Sequence, residues 1–330
     1  MKHFLITNRE ILTDKNGNEH IRPDGKEYAG DNLRFGTYDL DKKEFELFPE
    51  PKSEADLLYS SIKANTKPEK LYGSSRLFKE MYDEMCKDER VKGDTLVFIH
   101  GFNTNLKSVE EAFANLHKNY VEPKDNPIKH IIILTWPGQK RNVPLHYYND
   151  AKDAKRSGEA FARSVDKLIE FFAKFLGPSD GGNEACGKNL HLMVHSMGNQ
   201  VLEHMILTLL KTQNNLPELF KSISLVAADV EYNIFENHKA FYKLIDFGDK
   251  VHIYYHVNDK ILDISNYTKN LNNRLGRFGR KNIDAGLLDV FDVDCSSLSQ
   301  DQGNLLSKKA NHWYYYTSSY AVAEIKKGFK

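Results

Sequence analysis

Residues 190–200 read LHLMVHSMGNQ. An apolar run of strand length ends in His195, Ser196 and Met197, and Gly198 then opens GNQVLEHMILTLL, whose apolar spacing is that of a helix. Strand, sharp turn and helix together form the setting that displays a nucleophilic serine. The hydroxyl stands at the C-terminal end of the strand, and the helix N-terminus points partial positive charge at it. Such a turn needs small residues two places before and two places after the serine. Gly198 meets this, whereas Val194 stands where glycine or alanine is usual. An S-x-G core is also what a helix N-cap after a core strand looks like, so the rest of the chain has to decide between the two.

Working outward, short apolar runs alternate with longer helical patterns. LVFIHG (96–101), HIIILTWPG (130–138), SISLVAADV (222–230), VHIYYHVND (251–259) and LLDVFDVDC (287–295) read as strands. They are apolar almost throughout, as expected of parallel strands covered on both faces. Helices are expected at 107–119, where Val109, Phe113 and Leu116 share a face, and at 150–175, 198–212, 234–246 and 318–327. This alternation implies an α/β fold with a mainly parallel sheet and right-handed crossovers. HFLITNRE, LRFGTYDL and FELF are expected to be antiparallel strands extending the sheet at one edge, with helical pieces at about 53–64 and 75–88. The organisation expected is one domain: residues 1–90 as an N-terminal extension of the sheet and 91–330 as the core. GPSDGGNEACGK (177–188) is a loop within that domain.

Bulk properties exclude several classes. Forty-six basic side chains balance 46 acidic ones, so no global field steers the chain to nucleic acid or an anionic membrane. The N-terminal stretch has no secretory apolar core, and no run reaches the roughly 18 apolar residues of a membrane span. Cys86, Cys186 and Cys295 are odd in number, far apart and without a CxxC pair, which reads as a reducing compartment; a cytoplasmic protein is expected. There is no phosphate loop, no dinucleotide fingerprint and no metal-spaced His/Cys set, so no cofactor and no metal are expected. Nothing singles out a protein partner, and the partner expected is a small ester-type substrate.

If Ser196 is a nucleophile, the chain must also supply an oxyanion hole, a base and an acid. LVFIHGFNTN (96–105) ends a strand in His-Gly upstream of the serine. It offers the amide of Phe102 as one oxyanion donor, the other being the amide of Met197. Gly101 would allow close approach, and His100 and His195 flank and shape the site. The chain order Ser, acid, His places the acid just past a later strand, at Asp259, and the base at His312 in ANHWYYYTSSY. Asp229, closing SISLVAAD, is the rival acid, and Asp263 a weaker one. His204 falls in a helix, and His252 and His256 fall in a strand, where core or surface roles are expected.

Taken in order, HGFNTN, VHSMGN, AADV, VNDKIL and NHWYY resemble an α/β-hydrolase. The chain is similar to a bacterial serine-hydrolase branch filed as a domain of unknown function. The features carrying this are the Trp136-Pro137 pair, the H-S-M-G-N elbow, the N-x-R-x-G-like stretch LNNRLGRFG (271–279) and the late histidine beside aromatics. The resemblance spans roughly residues 90–325 and implies the α/β-hydrolase fold and a serine-hydrolase site. It implies no substrate, since this fold hosts many chemistries; the reaction expected is hydrolysis of a carboxylic ester or thioester through an acyl-enzyme by Ser196, His312 and Asp259. An amidase or peptidase on the same triad, or a binding protein on the same scaffold, remain the alternatives. Arg274, Arg277, Arg280 and Lys281 form a cationic cluster whose Arg277 is a candidate anion-binding residue, against the reading of a solvated loop. The loop 138–150, with Tyr147 and Tyr148, is a candidate lid or the start of a helix, and Trp313 to Tyr316 are a candidate pocket wall or a buried cluster.

Overall fold

The computed structural model describes residues 1–23, 29–53, 62–63, 65–88, 92–138, 147–175, 187–213, 215–268, 272–282, 286–297 and 311–330. The strands are β1 (Lys2–Thr7), β2 (Ile11–Thr13), β3 (Glu19–Ile21), β4 (Arg34–Asp39), β5 (Glu44–Leu47), β6 (Asp94–Ile99), β7 (Ile128–Thr135), β8 (Leu190–His195), β9 (Ser222–Val226), β10 (Val251–Tyr255) and β11 (Val290–Asp294). The helices are α1 (Gly73–Cys86), α2 (Leu106–Leu116), α3 (Tyr147–Phe175), α4 (Gly198–Thr212), α5 (Lys260–Thr268), α6 (Leu275–Phe278), α7 (Tyr314–Thr317) and α8 (Ser319–Lys327).

Nine strands form one sheet in the order β11-β10-β9-β8-β6-β7-β1-β4-β5. From β11 to β1 every neighbouring pair is parallel; β4 and β5 then add antiparallel, and β2 and β3 pair apart as a hairpin. The N-terminal strands extend one edge of the sheet as expected, β1 antiparallel to β4 and β4 to β5. β1 joins them to the core by lying parallel to β7, Phe4 opposite Ile132 and Ile6 opposite Leu134, with its residues after Lys2 all buried. Two-sided burial is what its unbroken apolar run HFLIT requires.

Helices cover both faces. One apolar core takes the long helix α3 with α1 and α4, and a second takes the Val109–Phe113–Leu116 face of α2 with α8. The segment 234–246 differs from the helix expected. Its first part is a chain of turns closed by bonds such as Ile234 N to Glu231 O and Glu236 N to Asn233 O, and only Ala240–Asp246 is helical, as 3-10 helix. Asparagines at 233 and 237 favour such turns over a continuous helix. The helix expected near 53–64 and the loop at 177–188 fall largely outside the described residues.

Two further points bear on the cysteine and membrane readings. Cys86 is disulfide-bonded while Cys295 is free and buried, which corrects the inference from cysteine spacing. Distance along the chain does not limit proximity in the fold, so the spacing carries no argument for a reducing compartment. Among the described residues no helix is long and apolar enough to cross a membrane.

The strand order positions the site. After β6 the chain adds β7 on one side, then returns to place β8 on the other. The ends of β6 and β8 therefore diverge into connections on opposite sides, leaving a crevice at their C-terminal ends, where ligands bind in open α/β sheets.

Candidate active site

Ser196 occupies the turn between β8 and α4 with φ +54°, a left-handed conformation costly for a residue with a side chain. Three backbone bonds hold it: its N–H donates to Val226 O (3.0 Å), and its carbonyl accepts from Asn199 N (3.0 Å) and Asp229 N (3.1 Å). Asn199 Nδ2 adds bonds to the carbonyls of Val194 and Ser196 (3.2 and 3.0 Å). The tight approach falls at Gly198, where a Cβ would meet the carbonyls of Ile99 and His100 at 2.7 Å. Val194 is fully buried and is accommodated where a smaller residue was expected. A Cβ on Gly101 would stand 2.7 Å from that of Ser196, which brings the Phe102 loop beside the serine.

Ser196, His312, Phe102, Gly101, His100, His195 and Asp229 line one cavity of about 390 Å³ at the crevice. His312 Nδ1 lies 2.7 Å from Asp259 Oδ2, with both side chains buried. The other carboxylate oxygen of Asp259 accepts from the amides of Ile261 and Leu262, each at 3.0 Å, in the first turn of α5. These helix N-terminal amides fix the orientation of the carboxylate. It accepts the Nδ1 proton, which leaves the Nε2 lone pair of His312 available as a base. The amides of Phe102 and Met197 take part in none of the described turn, loop and cap hydrogen bonds.

The two flanking histidines are part of the scaffold. Trp136 N–H donates to His100 Nε2 (3.1 Å), so His100 carries its proton on Nδ1 and donates it to Gly101 O (2.9 Å). Its ring stacks on Trp136 at 5.3 Å. Burial, then the nearby Arg9 cation, lowers its pKa to about 3. His195 Nε2 donates to the backbone carbonyl of His312 (3.1 Å), and its ring lies 4.7 Å from those of His312 and Tyr315. Burial, then His312, holds it well below its ordinary value. Both rings are neutral and hold other parts of the site in place.

Asp229 reaches the cavity, but His312 pairs with Asp259. Asp229 instead closes a buried cluster in which Tyr147 (2.5 Å), Ser265 and Gln200 Nε2 (3.0 Å) donate to its carboxylate and Arg274 Nε lies 3.5 Å away. Burial, then the Asp229 charge, raises the Tyr147 phenol well above its usual range. Tyr147 thus both starts α3 and lines the cavity; residues 139–146 of the expected lid lie outside the described residues.

The cationic cluster is corrected as an anion site. Arg277 pairs with Asp263 and donates to Val257 O (2.7 Å), Arg280 pairs with Asp292 (2.6 Å), and Lys281 lies 3.6 Å from Glu236. With Arg274 on Asp229, each has a carboxylate, and none lines the cavity. Carboxylates from other segments compensate the charge, and spacing along the loop gave no sign of it. The NRLGRFG stretch is structural: Leu275 N donates to Val230 O, and His256 N to Gly276 O, tying the ends of β9 and β10 together. The aromatic run divides. Trp313, Tyr315 and Tyr316 line the cavity, while Tyr314 is buried with its hydroxyl donating to Tyr254 O (2.8 Å).

Other contributors carried no sequence signal. Arg9, from the end of β1, is buried, with Nε on Thr135 Oγ1 (2.9 Å) and Nη2 on Thr104 O (2.6 Å), beneath the Phe102 loop. Asn103, Ala227 and Asn311 share the left-handed backbone of Ser196, so strain is concentrated around the crevice.

A family model described as alpha/beta hydrolase of unknown function (DUF900) matches residues 78–285, more than half of the chain. No curated protein matches the chain. The chain belongs to this alpha/beta hydrolase family; the matched span includes Ser196 and Asp259 and ends before His312.

Proposed function

We propose, for this member of the alpha/beta hydrolases, that Ser196 is the nucleophile of a serine hydrolase acting on a carboxylic ester or thioester. The observation that carries the reading is the 2.7 Å pair of His312 Nδ1 and buried Asp259, with His312 and the left-handed elbow serine lining one cavity. Ser196 Oγ attacks the substrate carbonyl while His312 Nε2 takes its proton. Charge developing on the carbonyl oxygen is met by the amides of Phe102 and Met197, each worth about 2.7–4 kcal/mol in the transition state. The tetrahedral species collapses, His312 returns the proton to the departing alkoxide or thiolate, and an acyl-serine remains. Water then attacks the acyl carbonyl, gives its proton to His312, and the carboxylic acid leaves as Ser196 regains its hydrogen. Asp259 holds the imidazole in the required tautomer and stabilises the imidazolium formed in each half-reaction.

A fluorophosphonate probe tests the reading directly. An adduct on Ser196, located by peptide mass spectrometry and lost in Ser196→Ala, is expected. A folded wild-type chain that takes no label would overturn it. Matched ester, thioester and amide substrates test the bond specificity, and equal or faster turnover of the amide would replace esterase by amidase.

A further inference from the structure

The cavity has a second wall away from the Asp229 cluster. Ser108, Glu111, Ala112 and Asn115 line it from α2. Their spacing puts them on one helical face, beside the buried Val109–Phe113–Leu116 stripe. Trp313, Tyr315 and Tyr316 line the same cavity. Tyr120 donates through its hydroxyl to Tyr315 O, and Asn119 Nδ2 lies 3.5 Å from Tyr316 O, so the π-helical turn His117–Val121 that follows α2 and the aromatic run are held against each other. His312 joins this wall directly, its ring edge-on to Trp313 at 5.2 Å.

The charge on this wall is one-sided. Among the described residues the cavity lining contains two carboxylates, Glu111 and Asp229, and no lysine or arginine. Asp229 is compensated by Arg274, whereas no ion pair to Glu111 occurs among the described residues. Half-buried aromatic rings lining a cavity with an exposed carboxylate at its rim attract a cation twice over. The ring quadrupoles favour positive charge, and the carboxylate supplies a counter-ion that needs no desolvation beyond the rim. An anionic or long-chain apolar group would gain neither contribution there.

We infer that Glu111, Trp313 and Tyr316 form a subsite for a cationic group, and that the substrate carries an alkylammonium close to its scissile bond. That the bound group belongs to a substrate rests on the hydrolase reading above; the cation preference of the cavity does not.

Choline and its uncharged carbon isostere 3,3-dimethylbutan-1-ol have the same shape and differ in charge, so their calorimetric titration into the full chain isolates the effect. Choline is expected to bind about tenfold more tightly, in keeping with cation–π and rim-carboxylate attraction together. Glu111→Gln is expected to bring the two dissociation constants within about twofold, and Trp313→Leu to weaken choline more than the alcohol. Equal affinities in the wild type, no saturable choline binding, or an unchanged ratio in Glu111→Gln would each overturn the subsite. Fluorophosphonate labelling of the same preparations separates the two readings. Labelling without a choline preference removes the subsite and leaves the nucleophile; a choline preference without labelling does the reverse.

Discussion

Asp259 and Asp229 stand just beyond the ends of neighbouring strands, β10 and β9, and both are buried, yet they serve different ends. Asp259 has two backbone amides on one oxygen and His312 on the other. Asp229 is surrounded by Tyr147, Ser265, Gln200 and Arg274. A carboxylate facing an imidazole can steady a ring that gains and loses a proton. One facing a guanidinium is locked into a permanent ion pair, because arginine does not give up its charge. The partner decides the role, and the aspartates alone would be interchangeable.

Substitution at each separates the two roles. Asp259→Asn is expected to lower kcat by about 10⁴-fold while the chain stays folded, since the amide cannot hold the required tautomer; turnover of an activated ester measures this. Asp229→Asn should leave the kcat of the folded enzyme within about tenfold but cost about 3–5 kcal/mol of stability, because Arg274 would be left buried without its counter-charge. Urea unfolding provides that measurement. Loss of turnover in Asp229→Asn with an unchanged midpoint would exchange the two assignments.

The histidines sharpen the contrast between scaffold and working groups. His100 and His3, the latter buried in β1, have pKa values of about 3 in the fold, through burial above all, and His195 is well below 6.5. In the unfolded chain they titrate near 6.5, so below that pH the unfolded state binds protons that the folded state refuses. For His100 and His3 this stabilisation is complete above pH about 6.5 and is lost as pH falls toward 3, by about 2 kcal/mol for each at pH 5, and His195 acts in the same direction. A urea midpoint that does not drop between pH 7 and pH 5 would contradict the burial of these rings as neutral groups. The smallest effect is expected at Arg277. Arg277→Ala should change turnover of neutral and anionic esters by less than about twofold and stability by no more than about 1 kcal/mol, as for a half-exposed ion pair. Selective loss of anionic-ester activity would restore the anion site withdrawn above.

Much of the site is legible in the chain. The elbow around Ser196, the His-Gly end of β6 and the slots of Asp259 and His312 follow from apolar runs, turn residues and the order of elements, all of which are local signals. The parallel seating of β1 is less visible, because a buried apolar strand reads alike in either direction. Arg9, Gln200 and Ser265 are silent in sequence, since each matters through a partner far along the chain. Glu111 lies between: the stripe of α2 that is buried could be read, and the complementary face followed from it, but not the aromatic wall opposite.

By itself the sequence determined the α/β class, the elbow and the succession of serine, acid and histidine, because hydrophobic period and turn chemistry act within a few residues. Only the tertiary structure decided which aspartate meets the histidine, that the arginines of the 274–281 loop are already paired, and that Glu111, in no ion pair among the described residues, lines one cavity with the aromatic run. Those outcomes depend on which strand ends the sheet order brings side by side, because hydrogen bonds and close ion pairs are set by distance through space whatever the distance along the chain.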